Sequence, residues 1–281
     1  MDSDSDFYGD EETVSDLKAR LDDFDVEDWW KTRHLITDRI SHDEPKAPSA
    51  TGNHHNMFAG LVGAWQLSES IDDFLARLPP STTERMAGVD WIRIANPFAA
   101  PLDRPALGTF REAGKERLQL LSAFADASNS SGKHRLLVKK EIQKEREDCV
   151  RDLRELAVVC RVLGGKWMLF PGPEEVDEVW SRVAHATAEN KLGIVAKVEP
   201  RFLTEKARLI CVYTKDFRDK GDIARVLNRL RQLHLVRACG KQIYYKCDAW
   251  TELDIYGGND WGISASMHSS NEIFAHIKSQ G

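Results

Sequence analysis

Gly164-Gly165-Lys166-Trp167-Met168-Leu169-Phe170 opens a run, ending at Lys246, that reads as strand, helix, strand, strand, helix, strand with short joints. Lys166–Phe170 is the first strand and Pro171-Gly172-Pro173 a turn. Glu174–Ala188 is a helix, with acids in its first turn and Val176, Trp180, Val183 and Thr187 on one stripe. Gly193–Glu199 and Ala207–Thr214 read as strands joined by a Pro200–Glu205 loop. Asp219–Leu235 is a helix burying Ile223, Val226, Leu227, Leu230 and Leu233. Gln242–Lys246 is another strand, and Ile255–Tyr256 a short last one. Neighbouring strands on tight loops, with helices spaced between them, predict an α+β fold: a curved, mainly antiparallel sheet with helices on one face.

Upstream, Gly164-Gly165 reads as the stop of a long helix, Leu136–Leu163, whose apolar residues recur every three or four positions. Its other face interleaves both charge signs, which suits a solvated side. Thr109–Asp126 is a further helix and Trp91–Ala95 an alternating strand ended by Asn96-Pro97. Ser70–Leu78 is a helix that Ser68 or Ser70 can cap and Pro79-Pro80 stops, and Phe58–Leu67 is a short strand with Trp65. Residues 1–57 read as an acidic, largely disordered region, leaving one domain over 58–281.

A chain of 281 residues, 42% hydrophobic, can bury a full core. No apolar run reaches the roughly 18–20 residues of a membrane helix, and the Asp-rich start lacks the form of a signal peptide. Five cysteines with no C-x-x-C pair argue against disulfide and zinc frameworks and for a reduced cytoplasmic or nuclear setting. Net charge is −6, but residues 1–28 carry −10, so the remainder is basic; residues 191–246 hold fourteen Lys/Arg against five Asp/Glu.

No motif for chemistry emerges. Gly164-Gly165-Lys166 lacks the rest of a phosphate loop, and Gly262–Ser266 fails as a nucleophile elbow. Cys211 lies mid-strand among apolar neighbours, as a buried thiol would. Asp216, Asp219 and Asp222 lack calcium-loop spacing, and Asp219 or Asp222 suits helix capping; His54-His55 suit a solvated loop. The expectation is a non-enzyme without cofactor or metal.

Several phrases carry a family resemblance: Ser70–Pro80 with Trp91–Pro97, Gly165–Phe170, Ile210-Cys211-Val212-Tyr213-Thr214, Tyr244-Tyr245-Lys246-Cys247-Asp248, and Asn259-Asp260-Trp261-Gly262. Together they resemble the basophilic-leukaemia-expressed protein family, a conserved eukaryotic domain of unknown function. More distantly, residues 164–235 are similar to the messenger-RNA cap-binding initiation factors. They share a Gly-Gly-basic-Trp strand, an acid-led helix with Trp, a Val-rich strand, a basic loop and an aliphatic strand. That likeness implies a cap-binding-like fold with a ligand slot on the sheet. It also implies a stacking Trp with its Glu just before the first strand, where this chain has the Trp-free Leu136–Leu163 helix. A phosphate-gripping Arg is implied where Glu199 stands, whereas Lys206 and Arg208 do match the following basic loop.

Two functional readings follow. In the first, the chain is a binding module for RNA or a nucleotide-like anion: Lys197, Arg201, Lys206 and Arg208 contact phosphates and an exposed Trp such as Trp91 stacks on a base. In the second it is a protein-interaction adaptor that keeps the fold and has lost the slot. Trp29-Trp30 beside the acidic stretch then either dock on a partner or pack back on the domain. Trp167 and Trp180 sit on patterned apolar positions and belong to the core.

Overall fold

The computed structural model describes residues 54–85, 89–201, 206–237 and 241–280. Seven helices and six strands occur among them. In chain order they are α1 (Ile71–Arg77), β1 (Ile92–Ala95), α2 (Leu107–Ser130), α3 (Arg135–Val159), β2 (Gly165–Leu169), α4 (Val176–Ala188), β3 (Val195–Val198), β4 (Ile210–Thr214), α5 (Lys220–Gln232), β5 (Tyr244–Cys247), α6 (Asp248–Glu252), β6 (His268–Ser269) and α7 (Ser270–Gln280). These residues form two compact units. One is the helical hairpin 116–152, and the other comprises 54–115 with 153–280.

In the larger unit the six strands form one open antiparallel sheet in the order β1-β3-β4-β2-β5-β6. Residues paired across an antiparallel ladder share a face, so the register sorts the side chains directly. Ile94, Ala196, Val212, Trp167 and Tyr245 make one row, and Ile92, Val198, Ile210 and Leu169 the next. Every one of these side chains is buried. Helix α4 lies against β1 and β3, α5 against β4, and α1 against α4. The indole of Trp167 donates to the Ile223 carbonyl of α5 at 3.1 Å, and its ring meets Tyr245 edge-on at 5.4 Å. This layer is the hydrophobic core, and it holds Trp167 and Trp180 as the sequence predicts.

The exposed edge of β1 is covered by residues 63–65. Gly63 and Trp65 exchange backbone hydrogen bonds with Arg93, and only a single bridge forms where the sequence suggests a strand over 58–67. Ile255–Tyr256 is likewise not a strand; the last strand is His268–Ser269. In the hairpin unit, Leu118, Leu121, Val138 and Cys149 are buried. Arg117 joins its two helices through Asp152 and Glu145, each at 2.8 Å.

The helix boundaries correct the reading of Gly164-Gly165. Helix α3 ends instead on Arg161, at φ 56°, with the Val162 amide donating to Ala157 O at 2.8 Å. Asn190, His234 and Asp254 end α4, α5 and α6 in the same left-handed conformation, each followed by the matching amide bond back into its helix. At the other end of α5, Asp219 accepts from the Asp222 amide, confirming a capping role. Left-handed backbone costs a non-glycine residue roughly 1 kcal/mol. His234→Gly, at an exposed position, is therefore expected to stabilise the chain by about that much and raise the melting temperature by a few °C; thermal denaturation checks it.

Candidate functional site

The sheet face opposite α4 and α5 has a different chemistry. Register places Arg93 opposite Lys197, Lys197 opposite Cys211, Cys211 opposite Met168, and Met168 opposite Tyr244. One pair along, Tyr213 lies opposite Lys166, and Lys166 opposite Lys246. Three lysines from three strands thus share one face with Tyr213 between them. Trp91, just before β1, lies under Lys197 with the ammonium 4.1 Å from the ring centroid. The ammonium of Lys246 lies 3.8 Å from the centre of the Tyr256 ring, and Tyr213 is 5.4 Å from both Lys166 and Lys197.

The charges on this face do not balance. Lys166 pairs with Asp248 at 2.6 Å and donates to Thr251 Oγ1 at 2.9 Å. Arg93 pairs with Asp90 at 2.8 Å. Among the described residues, neither Lys197 nor Lys246 has a carboxylate within salt-bridge distance. Burial pushes the Lys246 ammonium down from its ordinary 10.5 to about 8, with repulsion from Lys166 adding to the effect. Burial also lowers Lys197, with Lys166 and Arg93 as repelling neighbours. Both cations rest on aromatic rings where a counter-anion would ordinarily stand.

Two glycines allow this arrangement. The Asp248 amide bonds to the Gly164 carbonyl at 2.8 Å, and a Cβ on Gly164 would lie 2.5 Å from the carboxylate that holds Lys166. A Cβ on Gly165 would lie 2.1 Å from the Tyr245 hydroxyl, which is hydrogen-bonded to Thr214 in the core at 2.6 Å. The pair is needed for close approach, not for helix termination.

Of the residues singled out from the sequence, Lys197 and Trp91 come together here. Arg201 is exposed beyond β3, where its amide donates to Thr83 O at 2.7 Å, and Lys206 is exposed before β4. Arg208 is 2% exposed; its amide bonds to Pro171 O and its guanidinium to the Lys206 carbonyl at 2.9 Å. It continues the ladder opposite Pro171, on the parity of Ile210, and not beside Lys197. Trp29 and Trp30 lie outside the described residues. Glu199 closes the end of β3 by accepting from the Leu209 amide at 3.0 Å.

Two further tryptophans, Trp250 and Trp65, belong to the interior. Trp250 is 1% exposed and donates to Ser264 O, while Trp65 is 8% exposed and donates to Glu69 O. The thiol of Cys211 is buried, and burial pushes it up to about 11, which removes it as a nucleophile at neutral pH. Among the described residues no group of three or more His, Cys, Asp or Glu could hold a metal, and no helix is long and apolar enough to cross a membrane.

Residues 17–254 match the family of the basophilic leukemia-expressed protein Bles03. The chain belongs to this family. Among solved structures, that of Ascaris suum eIF4E-3 with the m2,2,7G cap is similar at 15% identity and a TM-score of 0.29, over 38% of this chain and 58% of that one.

In this Bles03-family chain, sequence reasoning missed Lys166, Lys246, Tyr213, Tyr256 and Asp248. A signal for Lys166 and Lys246 was present: each is a charged residue inside an otherwise apolar strand, Lys-Trp-Met-Leu and Tyr-Tyr-Lys-Cys. Alternation places such a lysine on the face opposite the core.

Proposed function

We propose that the Lys166–Lys197–Lys246 face binds RNA or a nucleotide-like anion and carries out no chemistry on it. The observation that supports this is the pair Lys197 and Lys246: two partly or fully buried ammonium groups with no carboxylate within salt-bridge distance among the described residues. Cations removed from water in this way destabilise a fold unless something compensates them. Phosphates of a bound nucleic-acid strand, one at each lysine, would supply the missing negative charge, and the Trp91 and Tyr256 rings beside them offer aromatic surfaces to a base. The cytoplasm and the nucleus are the compartments in which such a ligand is met.

The test is binding of the purified chain to capped and uncapped RNA of one sequence, at low and at physiological salt. Salt-sensitive binding of both supports a general phosphate grip, and preference for the capped form supports a nucleotide slot. Binding of neither overturns the proposal and favours the adaptor reading.

A pH dependence follows. With Lys246 titrating near 8, affinity should be flat below that pH and fall above it as the ammonium is lost. Lys246→Arg keeps its charge throughout and should reduce the decline that begins near pH 8, leaving the part owed to Lys197, which burial also lowers. Folding runs the other way. Between about 8 and 10.5 the unfolded chain holds more protons than the folded one, so the Lys246 contribution to stability rises with pH.

A further inference from the structure

The hairpin 116–152 exposes four large apolar side chains: Leu120 at 59%, Phe124 at 39%, Leu136 at 70% and Leu137 at 56%. Scattered apolar residues are normal on a surface, but Leu120 and Phe124 stand four apart on α2 and so adjoin on one face. Leu136 and Leu137 open α3 at the turn end of the hairpin. Further along α3, Lys139, Lys140 and Lys144 are exposed, and none pairs with a carboxylate among the described residues. Residues 133–146 hold six Lys/Arg against two Glu.

Elsewhere the chain carries a segment of opposite chemistry. Residues 16–30 place Leu17, Leu21, Phe24, Trp29 and Trp30 among Asp16, Asp22, Asp23, Asp25, Glu27 and Asp28. Leu17, Leu21 and Phe24 recur at the spacing of one helical face. The family match covers residues 17–254 and so takes in this stretch together with strands β1 to β5. Among the described residues the hairpin's apolar stripe is exposed.

We propose that residues 17–30 dock on the hairpin, with their apolar side chains over Leu120, Phe124 and the Leu136–Leu137 end. Their carboxylates then face Lys139, Lys140 and Lys144. The occupant is this chain's own acidic segment, chosen by two complementarities at once: an apolar stripe against an apolar stripe, and five acids, a net charge of −3 over residues 17–30 with Lys18 and Arg20 included, against a basic surround.

Hydrogen exchange of the full-length chain tests this. Amides of 17–30 should be protected in the parent chain, and Leu120→Glu with Phe124→Glu should speed their exchange at least about tenfold. Because that variant could instead disrupt the hairpin, the reciprocal change is needed. Trp29→Ser with Trp30→Ser should release 17–30 in the same way while the α2 and α3 amides facing one another stay protected. Free exchange of 17–30 in the parent, or protection unaffected by either variant, overturns the proposal. So does a parent chain whose mass in solution is that of a dimer that Leu120→Glu with Phe124→Glu dissociates, since the apolar stripe would then be covered by a second copy.

Discussion

Replacing Lys197 and Lys246 together with glutamine is expected to weaken RNA binding at least about a hundredfold, or about 2.7 kcal/mol. The plot of log affinity against log salt should become shallower by about 1.4, the share of two phosphate contacts to a single strand. Stability should move in the opposite direction. Each lysine holds its charge in a desolvated position against a ring, with no carboxylate within salt-bridge distance among the described residues, so glutamine removes a cost and the melting temperature should hold or rise. That opposition separates a ligand site from a structural one. If the lysines served only to build the sheet, their loss would lower stability and leave the salt dependence unchanged. Titration of the double variant beside the parent chain, with a melt of each, reads both quantities.

Trp167→Ala is expected to cost about 3–5 kcal/mol, the range for truncating a large aromatic in a core. The side chain is fully buried between the sheet and α5, and its indole donates to the Ile223 carbonyl. At a few °C for each kcal/mol, the melting temperature should fall by roughly 10 °C or more. Trp167→Phe keeps most of the ring contact with Tyr245 and loses the hydrogen bond, so it should cost less than half as much. Urea unfolding of the three chains decides the matter. A loss below about 1 kcal/mol for the alanine variant would mean that the layer between sheet and α5 is not where the stability resides.

Much of the larger unit was legible because its signals are local. Ile223, Val226, Leu227 and Leu230 recur at helical spacing, and all four are buried on α5. Asp219 and Ser70 each precede a helix with a side chain able to cap it, and both do so. The helix ends were less legible. The left-handed positions fall on Arg161, Asn190, His234 and Asp254, and side chains of that kind do not announce a stop as glycine does. Gly164-Gly165 drew that role by its composition, whereas its reason is the space taken by Asp248 and Tyr245, residues far along the chain.

The candidate site divides along the same line. Alternation alone puts Lys166, Lys197 and Lys246 each on the face of its strand opposite the apolar residues, because successive side chains in a strand point to opposite sides. That much is a property of the sequence. Which lysine stands beside which depends on the order β3-β4-β2-β5, set by hydrogen bonds between strands that are not neighbours in the chain. Trp65 and Trp250 against Trp91 make the same point. All three lie near element ends in the sequence, but only packing between elements sends the first two inward and leaves Trp91 under an ammonium group. The sequence by itself determined the elements and the two faces of each, because propensity, spacing and capping act within a few residues. Only the tertiary structure decided that three lysines share a face on which, among the described residues, Lys166 alone of the three is ion-paired, because charge and burial are set by what folds beside a residue.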